Sequence, residues 1–127
     1  MVAAERRLDA HQGAYAMARK MSRYPTEGGL TKELDDWWHK HCMFLSDECR
    51  TVFTTAFSDL SDLRLELRLA DESRDRNEEV PIEQARRINK LSLGLSDAPK
   101  QILDGIRLPA MNADPFIEIA EASKDEG

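Results

Sequence analysis

From Cys49 to Leu67 the residues Cys49, Phe53, Ala56, Leu60, Leu63 and Leu67 recur at steps of four, three, four, three and four. That spacing lines one face of an α-helix and no face of a strand, and it is the spacing of a coiled-coil seam. Ser46 precedes the run as a good N-cap, with Asp47 and Glu48 in the first turn, where acidic groups suit the helix dipole. Val52 and Phe57 flank the seam and broaden it, which suits a bundle better than an isolated two-stranded coil. The spacing predicts a helix of about 24 residues, roughly 36 Å long.

The rest of the chain supplies neighbours for this spine. Ala10, Ala14, Met17, Met21 and Tyr24 share a face of a first helix from about Ala3 to Tyr24, with Leu8, Tyr15 and Ala18 widening it. The segment is basic, five cations against Glu5 and Asp9, and Pro25 to Gly29 ends it. A short second helix is expected from about Thr31, as N-cap, to His41, with Leu34, Trp37, Trp38 and His41 on one face. The connection Cys42-Met43-Phe44-Leu45 is too apolar for an exposed loop and is expected to tuck under the bundle.

Asp71 to Glu79 is almost wholly polar, either an exposed extension of the third helix or a loop. Order restarts at Val80-Pro81, and Ile88, Leu91, Leu95, Ala98 and Ile102 continue the four-three pattern. Pro99 inside that run implies either a kink or a new short helix capped by Ser96. Gly105 marks the expected end of this helix, and Leu108-Pro109 the end of the fold. No strand-like alternation or internal repeat occurs. The predicted fold is an all-α antiparallel bundle of four to five helices with a long central third helix, residues 1–110, followed by an acidic C-terminal tail, 111–127. In the tail five carboxylates face Lys124 alone, and Phe116, Ile117 and Ile119 form one apolar patch.

Composition narrows the function. The 127 residues suffice for one domain with its own core, without disulfide or metal. A net charge of −6 argues against sequence-independent binding to nucleic acid or to an anionic membrane. No run approaches the 18 or more apolar residues of a membrane span, and the first 24 residues do not read as a secretory signal. Cys42 and Cys49 read as reduced thiols, so the expected compartment is the cytoplasm.

Chemistry-bearing clusters are few. His39, Cys42 and Cys49, with His11 as a possible fourth, offer the nitrogen and sulfur ligands of a zinc site. Their spacing matches no zinc module, and a cysteine on a helix seam is more often a small core residue. Neither cysteine has an orienting partner for nucleophilic catalysis, Gly28-Gly29 has no P-loop around it, and the paired carboxylates diverge on a helix. The residues therefore predict no enzyme, no cofactor and no small-molecule substrate. Trp37 and Trp38, adjacent on a helix, point about 100° apart. Trp38 is expected to pack in the core, and Trp37 either packs there too or lines a partner groove, with Arg50 as a stacking or ion-pairing companion. Phe116 is a further candidate contact.

The run from Trp37-Trp38 through Cys42-Met43-Phe44-Leu45-Ser46 to Glu48, Arg50 and Phe53 resembles a pattern seen in small uncharacterised bacterial helical proteins. Arg6-Arg7-Leu8-Asp9-Ala10-His11-Gln12 and Ile106-Arg107-Leu108-Pro109 are similar as well. The likeness covers about residues 5–70, and departs at His41 and Cys49, where Asn and Ala are expected. Some of those proteins carry membrane segments ahead of the module. The resemblance implies no activity. It implies a helical module with Leu45 plugging the core, Ser46 capping the third helix and Trp38 packing beneath; Phe53 and Leu60 are structural by their place on the seam. The expected function is a non-enzymatic interaction or oligomerisation module whose partner is a protein or a second copy of the chain. The rivals are an acidic inhibitor or nucleic-acid mimic docking on a basic partner, and a small metal-binding helical domain.

Overall fold

The structure is a computed structural model that describes residues 2–105. Among these the chain forms α1 (Val2–Arg23), α2 (Leu30–His41), a 3-10 turn (Cys42–Phe44), α3 (Asp47–Asp75) and α4 (Ile82–Gly105), with no strand. The tail 111–127, Phe116 and Leu108-Pro109 lie outside the described residues.

The helices alternate in direction. Trp37 of α2 lies over Gly13 of α1, and Glu33 pairs with Lys20, so α1 and α2 run antiparallel. Gln84 and Arg87 reach Glu66, and Gly94 lies against Asp59, so α4 returns along α3. Ser22 meets Ser96, which closes α1 onto α4. The result is an all-α bundle with the 29-residue α3 as its spine.

The seam residues of α3 from Cys49 to Leu63 are buried, Leu67 is half-buried, and Ala70 extends the line one turn further. Opposite them lie Leu95, Ala98 and Ile102 of α4 and Leu30 and Leu34 of α2. On α1 the buried line is Ala10, Ala14, Ala18 and Met21, so mostly alanine lets this helix approach closely. Met17 is only half-buried, and Tyr24, expected on that face, is 55% exposed because α1 stops at Arg23. Each fully buried large side chain contributes about 1.5–3 kcal/mol relative to an exposed one.

Several local expectations are revised. Thr31 does not cap α2: the helix already begins at buried Leu30, and Gly29, two residues before Thr31, holds the cap position at φ 83°, a conformation glycine adopts without steric cost. The Cys42–Leu45 connection is only partly tucked in. Leu45 is buried, Cys42 and Phe44 are half-buried, and Met43 points outward at 68% exposure.

The polar stretch after Ala70 is helix as far as Asp75. It then closes with Asn77 at φ 59°, its N–H donating to the Arg74 carbonyl, while the Glu78 N–H donates to the Ser73 carbonyl. These two bonds satisfy carbonyls that the helix end would otherwise leave open. Buried Pro99 neither ends α4 nor starts a new helix, although its missing N–H leaves the Leu95 carbonyl without its helical donor.

Candidate functional site

The candidate residues of the sequence gather where α2 hands over to α3. Ser46 adopts extended backbone (φ −64°, ψ 159°), and its Oγ accepts the Cys49 N–H at 3.2 Å, the side-chain cap that starts α3. His11, only 7% exposed, arrives from α1, and its Nε2 accepts the Ser46 N–H at 3.2 Å. Its Nδ1 lies 2.6 Å from the Arg7 carbonyl and must be the donor there. These two contacts assign the neutral ring protonated on Nδ1. His11 is thus a second, non-local cap on α3. Nothing within the first helix signals it, because its partner lies 35 residues downstream.

Phe53 joins the two tryptophans. Its ring stacks on Trp38 at 5.3 Å and 15°, and meets Trp37 at 5.2 Å and 34°. Trp37 also packs on the His41 ring at 5.1 Å, and both tryptophans are half-buried. A side chain on Gly13 would place its Cβ 2.8 Å from Trp37 Nε1, so α1 leaves room for the indole by having none. Trp37 therefore packs on its inner edge and borders an open cleft of about 470 Å³ with its outer edge, where Met17, Lys32, Glu33 and His41 also stand. The charges around that cleft are mixed in sign.

Arg50 does not stack on an aromatic ring. Its Nε donates to the Leu45 carbonyl at 3.2 Å and its guanidinium lies 3.5 Å from Asp47. The cation–π contacts among the described residues are elsewhere, Arg6 over Phe44 and Arg19 over Tyr15. Leu45 and Leu60 are core residues.

The structure does not bring His39, Cys42 and Cys49 together as ligands. His39 is exposed and its Nδ1 donates to the Asp35 carbonyl at 2.8 Å. Cys49 faces the core, where burial pushes its thiol up to about 11, away from the thiolate a metal needs. Among the described residues no three His, Cys, Asp or Glu side chains converge on a point where an ion could sit. The acidic surface is interrupted too: Asp47, Asp71 and Glu83 each sit beside an arginine three residues on.

A further polar layer joins α3 to α4, and no sequence spacing signals it. Gln84, 7% exposed, donates to the Glu66 carbonyl, and Arg87 Nε donates to Glu66 Oε1 at 3.2 Å. The Arg87 hydrogen bond, with Gln84 beside it, holds the Glu66 carboxyl below its ordinary range, while Oε2 is buried without a partner. No described helix is long and apolar enough to cross a membrane.

No family model matches the chain, and no curated protein or solved structure matches it.

Proposed function

We propose that the chain is a non-enzymatic helical interaction module that pairs with a second copy of itself in the cytoplasm. The observation that carries this reading is a leucine pair one turn apart on the back of α3. Leu65 and Leu69, in the α3–α4 hairpin, point away from the buried seam and are 45% and 40% exposed. A monomer gains nothing by holding these side chains in water, whereas a two-fold contact would bury them. The charge of this hairpin suits such a contact. From Arg64 to Lys90 it holds seven cations and seven carboxylates, within a chain at −6. A surface balanced in sign can face its own copy without repulsion.

The nucleic-acid mimic is the weaker reading, because its acidic groups alternate with arginine instead of merging. Trp37 and Arg50 enter the proposal only as structural residues. The test is the double variant Leu65→Glu, Leu69→Glu. Both sites are exposed, so the fold should survive, shown by an unchanged far-UV circular dichroism spectrum. The wild type is expected to unfold at a temperature that rises with protein concentration, and the variant at a constant one. A concentration-independent wild type would overturn the proposal.

A further inference from the structure

The outer cleft between α1 and α4 is a different kind of surface from the rest of this acidic protein. It is an open cleft of about 400 Å³, lined by Arg19 and Arg23 of α1 and Lys100 of α4, with no carboxylate among its lining residues. Tyr15, Ser22 and Ser96 line it as well. From Ala10 to Arg23 the sequence of α1 contains no acid at all. Among the described residues none of the three cations has a carboxylate within ion-pair distance, as is also true of Arg6, Arg7, Lys32, Lys40, Arg64, Arg68 and Lys90; what sets these three apart is that they line one cleft without a carboxylate. The negative end of the α1 dipole accounts for Arg23 in its last turn. It does not account for Arg19, a turn earlier, or for Lys100 on another helix.

We infer that this cleft binds a small organic anion, a phosphate or carboxylate group carried on an apolar or aromatic body. The Arg19 guanidinium lies 5.8 Å from the Tyr15 ring centroid, which orients its fork of N–H donors and leaves them open to an acceptor. Ser22 and Ser96 approach each other across the helices at 3.5 Å, so two hydroxyls from different helices meet where an anion's oxygens would sit. The apolar body has its own place. Pro99 is buried at the α4 wall, and Leu103 beside it is 45% exposed. The volume falls within the range of small-ligand sites. No local motif reveals the cleft, because Arg19 and Lys100 come together only when α1 closes on α4.

The site lies apart from the leucine pair on α3, so it stands or falls independently of self-association. The test is an amide NMR titration of the full chain with 1-naphthyl phosphate, with 1-naphthoate, inorganic phosphate and 1-naphthol as separate arms. Saturable shifts are expected at Tyr15, Ser22, Ser96 and Lys100 with the two aromatic anions, and affinity at least about tenfold weaker with phosphate or naphthol alone. The arms with phosphate and carboxylate head groups tell which anion is preferred. Arg19→Gln with Lys100→Gln should weaken binding about tenfold and leave thermal unfolding unchanged, whereas Lys32→Gln, on α2, should change neither. Leu65→Glu, Leu69→Glu should still bind. Shifts that do not saturate, that fall elsewhere, or that saturate with unchanged affinity in the Arg19, Lys100 variant would overturn the inference.

Discussion

Replacing Phe53 tests how α2 is joined to α3. Its ring is 1% exposed and contacts both tryptophans of α2. Truncation to alanine removes a buried aromatic and leaves a cavity between rings too broad to collapse, a cost of about 3–5 kcal/mol. Leucine keeps most of the apolar volume but loses both aromatic pairs, each worth about 0.5–1.5 kcal/mol, so Phe53→Leu should cost about 1–3 kcal/mol. In a domain of this size about 1 kcal/mol moves Tm by roughly 3–5 °C. The alanine variant should therefore melt at least about 9 °C below wild type, and total stability of about 5–15 kcal/mol leaves it folded or close to the threshold. Urea unfolding followed by far-UV circular dichroism gives the free energy. Tryptophan emission gives the local effect, a red shift in Phe53→Ala as Trp37 and Trp38 gain water. A loss below about 1 kcal/mol with unchanged emission would refute the ring cluster as the joint.

Three further outcomes are expected. Gly13→Ala should destabilise despite alanine's helix preference of about 1 kcal/mol, because its Cβ would meet the Trp37 indole at 2.8 Å; a stabilised variant in urea unfolding would show that the indole moves freely. Burial first, then neighbouring Asp62, raise the Asp59 carboxyl above its ordinary range, against a lowering by Lys90. A raised folded pKa means that ionised Asp59 weakens the fold at neutral pH and that the penalty disappears as pH falls below the ordinary carboxylate range. Asp59→Asn should thus stabilise at pH 7 and lose that gain in acid; an equal gain at both pH values would contradict the assignment. Finally, a thiol reagent at neutral pH should label half-buried Cys42 in the native protein and reach Cys49 only in denaturant, since Cys49 is buried and its pKa is pushed up to about 11. Rapid labelling of both would place Cys49 outside the core.

Where the fold was legible, one helix carried its own signal. The α3 seam repeats without interruption, its N-cap Ser46 stands directly before it, and both survive in the structure because burial and capping favour the same register. Helix α2 shows the opposite case. Thr31 looks like a cap by composition, yet Leu30 before it is drawn into the core, so the helix starts earlier and Gly29 supplies the turn. Pro99 was ambiguous because sequence gives the loss of one hydrogen bond but not the packing that outweighs it; the ring is buried among α4's core positions.

The site was less legible than the fold. His11 was read as a possible ligand and is instead a cap on a helix 35 residues away. For Arg50 the sequence offers stacking on an aromatic face or pairing with Glu48 or Asp47; the guanidinium takes Asp47 and the Leu45 carbonyl and stacks on no ring. The cluster around Arg19 and Lys100 requires two helices that meet only in the tertiary fold. Periodicity reports which face of a helix is buried, and it carries no information about which distant side chains share a cleft.

The proposed association of the chain with its own copy through the back of α3 can be read directly by sedimentation equilibrium of the full chain over a wide concentration range. The mass is expected to rise from 14.5 kDa to twice that value as concentration increases, and to stay at 14.5 kDa for Leu65→Glu, Leu69→Glu. A wild-type mass that stays at 14.5 kDa throughout, or a dimer that the double substitution leaves intact, would contradict it.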